Sequence, residues 1–84
     1  MSGRRRAEVL EAILRVVAAG YGRRMRMMHG AYLSYAQLEE YADFMPKSGL
    51  VYLEDESGLY RLTPMGEAFL DRAKHSEAPR ITEK

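Results

Sequence analysis

The stretch Gly30-Ala31-Tyr32-Leu33-Ser34-Tyr35-Ala36-Gln37-Leu38 decides how this chain folds. Ser34 stands three residues before Gln37. A serine hydroxyl there accepts from the backbone N–H of the third helical residue, and a glutamine at that residue reaches back to the serine's own N–H. Ser34 is therefore the predicted N-cap of a helix over residues 34–47. Leu33, just outside the cap, and Leu38, at the fourth helical position, have the spacing of a hydrophobic staple. Two signals thus place one helix start. Leu38, Ala42 and Met45 continue a buried stripe, with Tyr41 at its edge. Pro46 ends or bends this helix near its last turn, because it lacks an N–H and clashes backward. Lys47-Ser48-Gly49 closes it.

Upstream, residues 4–19 read as a helix. Val9, Leu10, Ile13, Leu14 and Val17 recur at steps of three and four. Ser2 is placed to cap it, and Gly20-Tyr21-Gly22 stops it. Residues 23–29 form a second, short helix with Met25 and Met28 inward. Alternating arginine and methionine would also suit a strand, but glycine breaks on both sides favour the helix. Downstream, Leu50-Val51-Tyr52-Leu53-Glu54 and Leu59-Tyr60-Arg61-Leu62 flank a polar loop containing Gly58, the pattern of a hairpin. Thr63-Pro64 opens a last helix, with threonine as cap and proline at the first helical position. Met65, Ala68, Phe69 and Ala73 form its apolar face. The domain is expected to span residues 1–75, and residues 76–84 to be a disordered tail.

The chain has 84 residues, enough for one domain, with 46% hydrophobic and 30% charged residues. With no cysteine, it has neither disulfides nor thiolate metal sites. His29 and His75 are not spaced as a metal pair. Glu54-Asp55-Glu56 lacks the alternating ligands of a calcium loop and reads as a solvated tip. Gly20-Tyr21-Gly22 runs into arginines rather than into a dinucleotide fingerprint. No nucleophile–base pair is visible, so neither an enzyme nor a cofactor is expected. No apolar run approaches the roughly 20 residues of a membrane span. Nor does an apolar run follow the N-terminal arginines, so no secretory signal is read. The expected location is cytoplasmic.

The formal net charge of +1 hides a division. Residues 1–30 carry seven arginines against Glu8 and Glu11, and residues 31–60 carry six acids against Lys47 alone. Such polarity says more about partners than the total does.

Three helices, a two-stranded wing and a closing helix, with a short turn between helices two and three, make a mainly α winged helix-turn-helix. The residues also carry a family resemblance. Arg26-Met27-Met28-His29-Gly30-Ala31-Tyr32-Leu33-Ser34-Tyr35-Ala36-Gln37-Leu38-Glu39-Glu40-Tyr41 resembles the central motif of an archaeal winged-helix family of small, often dimeric DNA-binding proteins and transcription regulators. Ser48-Gly49-Leu50-Val51 is similar to that family's strand entry. Leu59-Tyr60-Arg61-Leu62-Thr63-Pro64-Met65-Gly66-Glu67-Ala68-Phe69-Leu70 is similar to its second wing strand and final helix. The resemblance covers about residues 8–73 and implies binding of double-stranded DNA, with the third helix in the major groove and the wing along the backbone. Carried over by position, Ser34, Tyr35, Ala36, Gln37 and Glu40 face the groove. Arg23, Arg24, Arg26, His29 and Arg61 meet phosphates.

The chain departs from that pattern in one direction. Glu39, Glu40 and Asp43 make its recognition helix acidic, and Glu54-Asp55-Glu56 does the same for the wing tip. Gly30 stands where a basic residue is common. Two readings follow. In one, DNA is held through the basic residues 4–6 and 23–26, with the third helix contributing its first turn. In the other, the domain is a protein-interaction module whose acidic helix meets a basic partner. Arg4, Arg5 and Arg6 suit either a solvated helix start or a binding arm. The methionines read as packing. The last helix keeps Met65 and Phe69 on one side and Leu70 on another, which predicts a homodimer through these three residues.

Overall fold

The computed structural model describes residues 5–81, with side chains to residue 73. Helices α1 (Arg6–Ala18), α2 (Arg24–Gly30) and α3 (Tyr35–Lys47) lead into strands β1 (Val51–Leu53) and β2 (Tyr60–Leu62), then helix α4 (Pro64–Ile81). This is the element order predicted from the sequence. The strands pair antiparallel, with Val51 opposite Leu62, Tyr52 opposite Arg61 and Leu53 opposite Tyr60.

The core forms where the periodic faces meet. Val9, Leu10, Ile13, Leu14 and Val17 of α1 are all buried, as are Leu38, Tyr41, Ala42 and Met45 of α3. Met27 from α2 and Val51 from β1 join them. Burying each large apolar side chain stabilises the fold by roughly 1.5–3 kcal/mol before conformational entropy is counted. The start of α3 has the predicted cap. The Gln37 N–H donates to the Ser34 hydroxyl at 3.1 Å, and the Ser34 N–H donates to the Gln37 side-chain oxygen at 3.0 Å. Leu33 and Leu38, the staple pair, are both buried in the core. Pro46 lies inside the last turn of α3, which ends one residue later.

Some boundaries and faces differ from the sequence reading. Helix α1 is capped by Arg5, whose N–H donates to Glu8 Oε1 at 3.2 Å; Ser2 lies outside the described residues. In α2 the buried methionine is Met27, while Met25 is 54% exposed. A seven-residue helix with three methionines has no period long enough to fix its rotation. Contact with α1 fixes it instead. Gly30, read as a helix break, is the last residue of α2, and a Cβ there would lie 2.6 Å from Val16 Cγ2. Glycine thus lets the two helices close together.

The hairpin is anchored on the segment before α2. The Tyr60 N–H donates to the Gly22 carbonyl at 2.9 Å. A Cβ on Gly22 would lie 2.2 Å from the Tyr60 carbonyl oxygen, so only glycine fits. Helix α4 starts as predicted. The Thr63 hydroxyl accepts from the Gly66 N–H at 3.0 Å and donates to the Gly49 carbonyl, and the Thr63 N–H donates to the Leu50 carbonyl at 3.1 Å. This cap ties α4 to the end of α3.

The buried face of α4 is rotated from the expected one. Gly66 is buried and Phe69, Leu70 and Ala73 are half-buried, whereas Met65 and Ala68 are exposed. Gly66 sits close under the Leu50 carbonyl, and that approach turns Met65 outward. The sequence reading ends this helix near His75, yet it extends to Ile81. Ala73, Lys74, Glu77 and Ala78 are strong helix formers. Residues 82–84 of the expected tail lie outside the described residues. Among the described residues, no helix is long and apolar enough to cross a membrane.

Candidate nucleic-acid interface

The first turn of α3 contains no acid. Ser34, Tyr35, Ala36 and Gln37 are all exposed there. The Gln37 side-chain oxygen is held by the cap, so its amide NH2 is the part of the side chain not engaged by that cap. Further along, every acid of α3 has a cation beside it. Glu39 pairs with Arg24 of α2 at 3.1 Å, Glu40 with Arg6 of α1 at 3.2 Å, and Asp43 with Lys47 at 3.2 Å. The Arg6 guanidinium also lies 5.0 Å from the centre of the Tyr41 ring and 4.8 Å from that of Phe44. Those stacking contacts cover Tyr41, which is buried rather than at an edge. Arg6 is therefore a clamp on α3 and not a free arm; Arg4 lies outside the described residues.

The wing has its own charge pairing. Glu54 accepts from the Ser57 hydroxyl at 2.6 Å and from Arg61 Nε at 3.2 Å. The Ser57 hydroxyl, and then Arg61, hold the Glu54 carboxyl below its ordinary pKa. Glu54 thus organises the wing loop, and the sequence reading of a wholly solvated tip holds only for the exposed Asp55 and Glu56. Arg23 reaches the same loop, its guanidinium donating to the Ser57 carbonyl at 3.4 Å. On α3 the Glu39 carboxylate accepts from the Tyr35 hydroxyl, and this bond together with the carboxylate's charge pushes the phenol pKa up.

The candidate phosphate-binding residues fall into two groups. Arg23, Arg24 and Arg61 lie with α3 and the wing. Arg26 stacks on Tyr21 at 4.6 Å and, with His29, lines a groove against Ala12 and Val16 of α1 and Ala19 just after it. Helical geometry causes the split, since residues two apart are about 200° apart around the axis. The five residues therefore do not make one strip. Sequence reasoning named Arg6 as part of a basic arm and missed its clamp on α3, and it missed the bridging role of Glu39. Arg6 and Glu40 are 34 positions apart and Arg24 and Glu39 are 15 apart, and no local pattern signals such pairings.

The three residues expected at a dimer interface also separate. Phe69 and Leu70 pack against the core of their own chain, and Met65 is 59% exposed. Among the described residues, no group of three or more acids and histidines is placed to hold a metal ion.

A three-helix unit with a docked hairpin wing is the geometry on which family membership turns, and the model of the winged helix-turn-helix family matches residues 3–79. The chain belongs to the winged helix-turn-helix family. Membership in this family of binding domains agrees with the expectation that the chain is not an enzyme. Its fold is similar to the crystal structure of Sso10a-2, a DNA-binding protein from Sulfolobus solfataricus, with a TM-score of 0.71 and 22% identity over 92% of this chain and 82% of that one. Among curated protein sequences none matches it. In this winged helix-turn-helix domain, α2 and α3 form the helix-turn-helix and β1–β2 the wing.

Proposed function

We propose that this chain binds double-stranded DNA and acts as a transcription regulator. Ser34, Tyr35, Ala36 and Gln37 enter the major groove from the first turn of α3, and Glu40, one turn further, faces cytosine amino groups. Arg23, Arg24 and Arg61 meet the phosphates on either side, and Arg26 and His29 reach backbone further out. The observation that carries the reading is the state of the acids on α3. Each is beside a cation, while the exposed first turn is acid-free and flanked by Arg23 and Arg24. A partially neutralised helix does not repel phosphate as its sequence suggests, and it offers a basic protein little free negative charge. The DNA-binding neighbour in fold adds support.

The test is titration of a mixed-sequence duplex at several salt concentrations. Binding through Arg23, Arg24 and Arg61 gives a slope of log K against log salt of roughly −2.7, at about −0.9 per phosphate. Absence of binding at low salt would refute the proposal. For the homodimer through α4, the exposed Met65 is the residue left to meet a second copy, with the outer edges of Phe69 and Leu70 beside it. Equilibrium sedimentation that gives one chain mass at high concentration removes it.

A further inference from the structure

The capping box at the start of α3 decides which hydrogen-bonding groups Gln37 has left to offer. Its side-chain oxygen accepts from the Ser34 N–H at 3.0 Å, while its backbone N–H donates to the Ser34 hydroxyl at 3.1 Å. The side-chain NH2 takes no part in the box, and among the described residues nothing accepts from it. A free glutamine amide is donor and acceptor at once. Gln37, which is exposed, has two protons to give and an oxygen already committed. Three residues on, and so on the same side of the helix, stands Glu40, the two Cβ atoms about 5–6 Å apart. Glu40 Oε2 accepts from Arg6 at 3.2 Å, Oε1 is unengaged among the described residues, and the side chain is 56% exposed. A carboxylate only accepts. The exposed side of α3 thus carries a donor beside an acceptor.

Each base pair shows its own pattern of donors and acceptors in the major groove. Glutamine ordinarily reads adenine, donating to N7 and accepting from N6. That pairing needs the oxygen, so here it would break half of the box. Two pairs remain that set an acceptor for the NH2 next to a donor for the carboxylate. In T·A, thymine O4 lies beside the C5 methyl, which crowds a polar amide, and adenine N6 lies beside N7, whose lone pair repels a carboxylate. In G·C, guanine O6 and N7 are neighbouring acceptors for the two NH2 protons, and cytosine N4 is the donor a glutamate takes. G·C is the pair that matches both side chains.

We infer that Gln37 is a guanine-reading residue, made donor-only by the cap, and that it selects a G·C pair together with Glu40. This inference rests on the DNA-binding reading and gives it a base preference. The full chain is mixed at low salt with a pool of duplexes randomised at the centre, and the bound fraction is sequenced. Wild type should enrich G·C over A·T at one position by roughly 5- to 30-fold. The enriched duplex is then remade with 7-deazaguanine at that position, which removes the N7 acceptor and leaves base pairing intact. Wild type should bind the remade duplex roughly three- to tenfold more weakly. Gln37→Glu keeps the box, since its carboxylate also accepts from the Ser34 N–H, so Tm should not fall. Its added charge weakens binding to both duplexes alike, but with no proton to donate it should bind them equally well. Glu40→Ala should narrow the preference for G·C and keep the 7-deazaguanine penalty. A residue that only caps the helix would leave that penalty the same in wild type and in Gln37→Glu, and that result overturns the inference. So does enrichment of A·T by wild type, since the box then opens to read adenine. Wild type that binds the pool with no base preference overturns it and leaves the DNA reading standing. Failure of the wild-type chain to bind overturns the DNA reading and this inference with it.

Discussion

Replacing Glu39 and Glu40 together by glutamine should tighten DNA binding, although both residues lie on α3, the proposed recognition helix. In the folded chain these carboxylates hold Arg24 and Arg6 at 3.1 and 3.2 Å. All four side chains are about half exposed, from 47% to 56%. Exposed pairs of this kind are worth about 0.2–1 kcal/mol each, because solvent screens them and ordering two long side chains costs entropy. An arginine that turns to a phosphate must leave or share its carboxylate, so binding DNA costs roughly that much per pair. Removing both carboxylates removes about 0.4–2 kcal/mol from the cost of binding, a gain of roughly 2- to 30-fold in affinity. The slope of log K against log salt should steepen by up to about 0.9, through Arg6, since Arg24 already counts among the three phosphate contacts. Fluorescence anisotropy with a labelled duplex measures both. Asp43→Asn is the control, since it removes the same charge roughly 12 Å further along the axis than Tyr35, at 1.5 Å per residue. Equal tightening by Asp43→Asn and by either glutamate substitution alone would mean that only net charge matters, and would refute the masking argument. Weaker binding of the double variant would mean that the base contact proposed for Glu40 outweighs the freed arginines, and would refute the masking argument.

Three further outcomes follow from the same geometry. Ser34→Ala removes the bond to the Gln37 N–H and should cost about 1 kcal/mol, lowering Tm by about 4–8 °C for a domain of this size; a melt within 1 °C or so of wild type would mean the cap is idle. Gly22→Ala drives a methyl group into the Tyr60 carbonyl, 2.2 Å from the ideal Cβ, and should cost roughly 1–3 kcal/mol with loss of amide-exchange protection at Tyr60; retained protection would show that the wing docks some other way. Glu54 has its pKa depressed by Ser57 and Arg61, so the stability it adds to the wing is complete above the ordinary carboxylate range and is lost as pH falls through its own lower pKa. Carbon-detected titration should find Glu54 titrating below the ordinary glutamate range, and Ser57→Ala should bring it up; a Glu54 midpoint at or above the ordinary glutamate value would contradict the contacts described.

Much of the fold is legible because its signals are local. The Ser34–Gln37 box, the Leu33–Leu38 staple and the Thr63-Pro64 start each need only a few residues, and each is found where its spacing puts it. The long periodic face of α1 is read correctly for the same reason. Where the period is short, the reading fails. Helix α2 has too few residues to set its own rotation, so Met27 and not Met25 enters the core. Helix α4 is turned by a backbone contact at Gly66, which no hydrophobic pattern records. The glycines at 22, 30 and 66 all mark close approaches between segments far apart in sequence. A sequence read locally sees them only as breaks or punctuation.

The site was less legible than the fold, and charge shows why. Along the chain the basic and acidic residues form blocks, which suggests a basic N-terminal end opposed to an acidic third helix. Folding lays those blocks against each other. Arg6 and Arg24 from the basic block cross to Glu40 and Glu39 in the acidic one, and within the hairpin Arg61 reaches Glu54. The opposed blocks become cross-helix pairs, and the field presented to a partner is far weaker than either block implies. This has a consequence for specificity. A helix lined with free arginines grips any duplex, since phosphate contact carries no sequence information. Here Arg6, Arg24 and Arg61 must each give up a carboxylate of their own chain in turning to a phosphate, so the unselective part of the binding energy is reduced. In the proposed complex the acid-free first turn, with Ser34, Tyr35 and the Gln37 amide, meets the base edges without separating an ion pair. The ion pairs then lower affinity for every sequence alike and leave discrimination to that turn. On this argument, freeing Arg6 and Arg24 should raise affinity for random duplex more than it raises the preference for any one site. A selection of bound sequences from a random pool, run on wild type and on the Glu39→Gln, Glu40→Gln variant, measures that difference directly; a sharper preference in the variant would refute it.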